Sequence, residues 1–354
     1  MLLGAGIARE SPGNPWNSLA EPTKTLIMRT SISAKMLGLR ELKEKVLELK
    51  ERKGAVILAH NYQRREVQEV ADFVGESLFL AKKALEANAE LVVFCGVDFM
   101  AETVAALCPD KRVVIPEPAA TCPMAAQLPA QLVREARRKH PGVPIVLYIN
   151  TLAEAKAEAD VICTSGNAIQ VVRALEADEV LFGPDWNLCW RVRQAVRDKT
   201  VIPLPEHGYC YVHKLFDAEE ALRLKERAGP GAELLVHPEC DPELQEIADF
   251  VGSTGQMYEY VRSSLGEAFV VATEVGLIER MKRDFSHKAR ILPAKSDAIC
   301  AEMKLITLEK VFKALRREGP IVKLPRDVAE GARAAVERMF ELMGVIKREI
   351  ASVR

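Results

Sequence analysis

The stretch Ile57-Leu58-Ala59-His60-Asn61-Tyr62, followed by Ala71-Asp72-Phe73-Val74-Gly75-Glu76-Ser77, occurs three times in the chain. It returns as Val146-Leu147-Tyr148-Ile149-Asn150 with Ala159-Asp160-Val161-Ile162-Cys163-Thr164-Ser165. It returns again as Leu235-Val236-His237-Pro238-Glu239 with Ala248-Asp249-Phe250-Val251-Gly252-Ser253-Thr254. His60, Tyr148 and His237 stand 88 and 89 residues apart, and so do Ser77, Ser165 and Thr254. Self-similarity at a fixed period means repeated supersecondary units, here of domain size. In each unit a strand-like apolar run ends in polar side chains, a short helix follows, and a second turn presents a hydroxyl.

Three cysteines obey the same period. Cys122, Cys210 and Cys300 are spaced by 88 and 90 residues, and each follows a short apolar run and a proline, Pro116, Pro203 or Pro293. If three like units close into a ring, equivalent positions lie around one axis. Three thiols then face one another, beside three strand ends and three hydroxyls.

The rest of the chain falls into place around these landmarks. Leu39, Leu42, Val46, Leu47 and Leu49 among Glu and Lys predict an amphipathic helix over 37–53, ended by Gly54. The first unit reads as strands 55–59, 90–94 and 112–115 with helices 65–73, 77–87 and 99–107. The second reads as helix 129–139 with strands 145–149, 160–163, 179–182 and 200–202, and the third as helix 217–226 with strands 233–236, 269–272 and 290–292. Strands that alternate with helices, and are continuously rich in Val, Ile and Leu, predict parallel sheets covered on both faces. The fold class is therefore α/β, with three similar α/β/α units of short parallel sheets, which would surround a pseudo-threefold axis with the active site at the centre if they close into a ring. The units are expected at 37–127, 128–215 and 216–306. Residues 1–36 read as a flexible extension, and 307–354 as C-terminal helices, 307–317 and 327–350, packing back on the core. Polar groups collect at the carboxyl ends of parallel strands, which brings His60, Tyr148 and His237 to one surface with Asp98, Asp185 and Glu274.

Composition narrows the class of function. The 354 residues are 49% hydrophobic, enough for a proper core, and 49 basic against 50 acidic residues leave a formal net charge of −1. Nothing here favours nucleic acid or an anionic membrane as a partner. No apolar run approaches the roughly 18 residues of a membrane helix, and the opening Met1-Leu2-Leu3-Gly4 lacks a basic leader, so a cytoplasmic location is expected. Eight cysteines without any C-x-x-C pair argue against a disulfide framework and against zinc ribbons. Cys95, Cys108, Cys163, Cys189 and Cys240 read as small buried side chains. Neither a G-x-G-x-x-G nor a Walker motif follows a strand, so a dinucleotide or ATP enzyme is not expected.

Three thiolates around an axis leave two readings open. They are repeated core cysteines, or they hold a metal group. A structural zinc site needs a fourth ligand. Three thiolates on a four-iron cluster leave one iron without a protein ligand, open to a hydroxyl or carboxylate as a Lewis acid.

The motifs themselves carry further. Ala59-His60-Asn61-Tyr62-Gln63, Gly96-Val97-Asp98-Phe99-Met100-Ala101-Glu102, Ala120-Thr121-Cys122-Pro123-Met124-Ala125, Asp160-Val161-Ile162-Cys163-Thr164-Ser165-Gly166-Asn167, Gly183-Pro184-Asp185, His237-Pro238-Glu239-Cys240 and Gly252-Ser253-Thr254-Gly255-Gln256-Met257 closely resemble the quinolinate synthase family of de novo NAD biosynthesis. The resemblance runs from about Leu37 to Gly344. It implies an enzyme that condenses iminoaspartate with dihydroxyacetone phosphate to quinolinate, losing phosphate and two waters. It also implies a [4Fe-4S] cluster at the bottom of a central site, with Cys122, Cys210 and Cys300 as its ligands, and an oxidase or dehydrogenase that supplies iminoaspartate. Some members carry two further cysteines before the third ligand; Ala294 and Asp297 stand there in this chain, so no local disulfide switch is expected.

The same resemblance implies substrate-binding roles for His60, Ser77, Tyr148, Asn150, Ser165, His213, His237, Glu239 and Thr254. Their chemistry fits: hydroxyls at helix N-termini donate, with nearby amides, to carboxylate or phosphate oxygens, although simple N-capping would place such residues there too. Glu239 is the expected general base, because enamine formation, isomerisation and dehydration all move protons. His237 and His60 are expected to polarise oxygens or orient carboxylates, and Tyr62 to assist proton transfer. Other readings are another open-cluster hydro-lyase, or a non-enzymatic iron-sulfur sensor.

Overall fold

The computed structural model describes residues 38–344; the expected extension over 1–36 and the end of the expected helix 327–350 lie outside them. A helix over 38–52 opens the described chain and stops where Gly54 takes φ +54°, a left-handed conformation that glycine adopts without steric cost.

Three four-stranded sheets follow. The first is β1 (Ala55–His60), β2 (Phe73–Gly75), β3 (Leu91–Cys95) and β4 (Arg112–Val114). The second is β5 (Ile145–Tyr148), β6 (Val161–Cys163), β7 (Glu179–Gly183) and β8 (Thr200–Pro203). The third is β9 (Glu233–Val236), β10 (Phe250–Val251), β11 (Ala268–Ala272) and β12 (Arg290–Pro293). Each sheet is wholly parallel and keeps one order, second-first-third-fourth in sequence terms. The architecture is therefore the α/β arrangement of three similar units that the repeats predict. Ile57, Leu58, Val92, Val93, Leu147, Leu234 and Val270 are fully buried. Each such side chain contributes roughly 1.5–3 kcal/mol of burial free energy.

The repeated Ala-Asp pair has a shared physical purpose. Asp72, Asp160 and Asp249 stand directly before the short second strands. Their carboxylates accept from the backbone N–H of Ile57 (2.8 Å), Ile145 (2.7 Å) and Leu234 (2.6 Å). Their own N–H groups donate back to the carbonyls of the same three residues. Each aspartate thus extends the ladder where the second strand has not yet begun. Lys50, Arg137 and Lys225 pair with them from the preceding helices.

Several elements differ from the sequence reading. The helix expected over 65–73 closes after Arg65–Gln68, and Phe73–Gly75 forms a strand instead; Phe250–Val251 is a further short strand in the third unit. Strands of two or three residues carry no alternation or apolar run of their own, and are made by pairing with the buried β1 and β9. The helices Thr254–Ser263 and Val275–Phe285 complete the third unit. The last helix, Arg326–Leu342, ends where Gly344 takes φ +68°. It packs against helices Asp98–Leu107 and Ala153–Lys156 and against β6, and so spans the first two units. After helix Leu308–Arg317, Ile321 forms an antiparallel bridge with Val114 at the edge of β4.

Candidate active site

The second-first-third strand order makes the carboxyl ends of β1, β5 and β9 the places where the chain leaves in opposite directions, which is where ligands bind in open parallel sheets. His60 and Tyr148 are the last residues of β1 and β5, and His237 follows β9. All three open into one pocket shared by the three units. Every catalytic, substrate-binding and metal candidate named from the sequence lines it, whereas Asp98, Asp185 and Glu274 do not and serve instead at the starts of helices. The first unit supplies His60, Tyr62, Ser77 and Cys122, and the second supplies Tyr148, Asn150, Ser165, Cys210 and His213. The third supplies His237, Glu239, Thr254 and Cys300. Met303, Met124 and Phe99 add apolar wall that the sequence did not single out.

Glu239 is the hub. Its Oε1 accepts from the Tyr148 hydroxyl at 2.7 Å and from Asn150 Nδ2 at 3.3 Å, and its Oε2 lies 2.8 Å from His213 Nδ1. Burial alone would raise its pKa, but His213, His237 and the hydrogen bonds from His213 and Tyr148 outweigh that, so the carboxyl is held below its ordinary range. A carboxylate only accepts, so Nδ1 of His213 carries the proton. Nε2 of His213 lies 3.0 Å from the Thr273 hydroxyl, which lies 2.7 Å from the Tyr62 hydroxyl. A connected chain of hydrogen bonds therefore links Tyr62 through Thr273 and His213 to Glu239. Thr273 was missed from the sequence because its counterparts in the other units are Gly96 and Pro184, so the repeat gives no sign of it.

The two equivalent histidines share one geometry. Nδ1 of His60 accepts from the Tyr62 N–H at 3.2 Å, and Nδ1 of His237 accepts from the Glu239 N–H at 3.3 Å. That leaves Nε2–H as the free donor on each ring. Burial, opposed by Glu239, lowers both to about 3, so both are neutral donors at neutral pH.

Capping does not account for the hydroxyls. Ser253, not Thr254, caps helix Thr254–Ser263, with Gln256 completing a capping box. Ser77 is the first residue of helix Ser77–Glu86, whose N-cap is Glu76. Ser165 lies in a turn ahead of helix Ala168–Ala174 rather than at its start, and so differs from the helix-terminal position the sequence suggested.

The cysteines separate into two groups. Cys95, Cys108, Cys163, Cys189 and Cys240 are buried, whereas Cys122, Cys210 and Cys300 are partly open and line the pocket. Each of the three thiols is also approached by the backbone N–H three residues on, that of Ala125, His213 or Met303. Burial pushes all three upward, Cys300 to about 12, so thiolates here call for a compensating cation. Cys210, His213 and Glu239 place one ligand atom each within 4.8 Å of one another and could hold a metal ion.

Fold and site together define a class: an α/β enzyme of three like units whose pocket is shared by all three and carries a periodic set of thiols. A family model described as Quinolinate synthetase A protein matches residues 44–341. Quinolinate synthase of Methanothermobacter thermautotrophicus is 52% identical over 305 residues, covering 86% of this chain and 99% of that protein. That of Methanocaldococcus jannaschii is 48% identical over 306 residues, covering 85% and 99%. That of Thermotoga maritima is 46% identical over 301 residues, covering 85% and 99%. The chain belongs to the quinolinate synthase family.

Proposed function

We propose that this chain condenses iminoaspartate with dihydroxyacetone phosphate to quinolinate, with release of phosphate and two waters. The observation that carries the reading is the buried Glu239 carboxylate, held by Tyr148, Asn150 and His213 in a pocket lined by three periodic thiols. Family membership supports the reaction, and the geometry supports the assignment of roles.

Cys122, Cys210 and Cys300 would hold a [4Fe-4S] cluster. The donor set fits one: clusters are held by cysteine thiolates, and here three thiols stand in equivalent places, each with a backbone N–H directed at sulfur. When bound through three cysteines, such a cluster supplies a Lewis-acid position at its fourth iron. His60 and His237 present Nε2–H groups to carboxylate or carbonyl oxygens of the substrates. Ser77 and Thr254, at the first residues of ten-residue helices, contribute hydroxyls beside helix N-termini, which suit anionic groups; Ser165 and Asn150 add further polar contacts. Glu239 accepts the protons lost from carbon and nitrogen, and the chain through His213 and Thr273 connects it to Tyr62. Iminoaspartate would come from an oxidase or dehydrogenase, in the cytoplasm. No helix among the described residues is long and apolar enough to cross a membrane.

Anaerobic purification with iron and sulfide analysis, beside an assay for quinolinate from freshly generated iminoaspartate and dihydroxyacetone phosphate, tests the reading. About four irons and four sulfides per chain with quinolinate formed supports it. A cluster without product points to a sensor or another hydro-lyase. A single ion at Cys210, His213 and Glu239 would exclude the cluster, since Cys210 belongs to both ligand sets.

A further inference from the structure

Each unit steadies the loop after its first strand with one buried polar side chain. Gln68 Nε2 donates to the carbonyls of Asn61 (3.0 Å) and Gln63 (3.1 Å), and across the unit boundary to Gly276 O (3.3 Å). Gln245 Nε2 donates to Pro238 O (2.9 Å) and Cys240 O (2.7 Å). At the equivalent place in the second unit, 88 residues after Gln68 and 89 before Gln245, stands Lys156. Its Nζ donates to Thr151 O and, across the boundary, to Phe99 O at 3.4 Å, and lies 5.1 Å from the Phe99 ring centroid. Phe99 and Gly276 are both second residues of their helices, so the lysine makes the bonds that the glutamine makes, in register.

Why a lysine stands there needs a separate reason. Its side chain is 0% exposed, and an ammonium is costly to bury where an amide would serve. Burial pulls its pKa down to about 7, against Glu102, Asp98 and Cys122, which push it up. One acid, Glu102, distinguishes this boundary; Asp98 has a counterpart in Glu274, which accepts from the N–H of Gly276 (2.7 Å) and of Cys300 (3.2 Å) beside Gln68. Asp98 Oδ1 accepts from the N–H of Phe99 (2.8 Å) and of Cys122 (3.0 Å), while Glu102 Oε2 accepts from Ala153 N–H (2.7 Å). The counterpart of Glu102 in the third unit is the exposed Glu279, and in the second it is Trp190. Only at Lys156 does a second carboxylate, Glu102, bond the short helix Ala153–Lys156 that carries the clamp, beside the Asp98 that holds the Cys122 N–H.

We propose that Lys156 is a positioning residue that supplies a buried positive charge to the corner holding Cys122, offsetting Asp98, Glu102 and the thiolate, while keeping the loop clamp that Gln68 and Gln245 make without charge. Local charge and outer hydrogen bonding tune the reduction potential of an iron-sulfur group. The potential is therefore a readout of this role that turnover is not. This part of the inference rests on the cluster assignment above.

The test compares K156Q, which installs the residue used by the other two units, with E102Q and the double variant, in anaerobically purified full-length protein. Potentials are read by titration followed by electron paramagnetic resonance. K156Q is expected to lower the potential, E102Q to raise it, and the double variant to return toward the parent value. Unchanged potentials, or shifts of the same sign in both single variants, overturn the proposal; E102Q alone decides it if K156Q retains no cluster. Thermal melting of the same preparations needs no iron: E102Q should restore much of the stability K156Q loses, and absence of that rescue also overturns the proposal. If the parent protein shows no cluster signal, the cluster assignment has failed, and the melting rescue alone judges the charge pairing.

Discussion

Tyr148 donates its hydroxyl proton to Glu239 Oε1 across 2.7 Å, so the first-strand ends of the second and third units meet on one carboxylate. His213 and Asn150 complete the ring of donors. All three donors to Glu239 come from the second unit. E239Q conserves volume and removes the acceptor of protons. Iron content should stay at the parent level, while quinolinate formation falls by about 10²–10⁴-fold, the usual range for loss of a general base. Y148F, which removes one donor and leaves the carboxylate, should cost about tenfold or less. Full turnover in E239Q removes it from the role of base.

The Tyr62–Thr273–His213 chain makes a separate prediction. T273V keeps the shape of the side chain and cuts both hydrogen bonds of the relay. Its expected effect is a fall in kcat of about 10–100-fold, at the low end of acid-base contributions, with KM little changed. Y62F should behave alike. Because the groups act as one unit, the double variant should be no slower than the worse single one. Multiplicative losses would show that Tyr62 and Thr273 act independently.

The cysteine period and the strand-end pattern were legible because a ring of like units forces equivalent residues into one place. Cys122, Cys210 and Cys300 could therefore be gathered from spacing alone, and so could His60 with His237. Thr273 and Lys156 were not legible for the opposite reason: each departs from its repeat counterparts, and its meaning depends on a neighbour from another unit. The short edge strands Phe73–Gly75 and Phe250–Val251 were lost because their hydrogen bonds come from β1 and β9 rather than from a local period. The Ala-Asp pair was visible as a repeat, but the bond from Asp72 to Ile57 is a tertiary fact that spacing does not state.

Serine substitution separates the two groups of cysteines. C122S, C210S and C300S should each abolish cluster binding and quinolinate formation together, since each removes one of three thiolates. C95A and C189A, at fully buried sites, should keep iron at the parent stoichiometry and lose only some stability through packing. Iron analysis on anaerobic preparations decides this. Retention of iron in any of the three serine variants would remove that residue from the ligand set.

Protonation of the pocket histidines sets an acid limit on the fold. Burial, partly opposed by Glu239, holds His60 and His237 at about 3 in the folded protein, against the usual 6.5. Below 6.5 the unfolded chain takes up protons that the folded chain refuses, so stability falls as pH falls and is fully present only above that value. Between 6.5 and 3 each histidine at full effect removes about 1.4 kcal/mol per pH unit. The lowered Glu239 acts in the same direction at lower pH, since its contribution is present above the usual 4.5 and lost below it. Thermal midpoints measured from pH 7 to pH 5 should therefore drop steadily. H60Q and H237Q, which keep a polar side chain without a titrating ring, should each flatten the slope over that interval. Parallel slopes in parent and variants would mean that the two rings take up protons in the folded state and are not held neutral by burial.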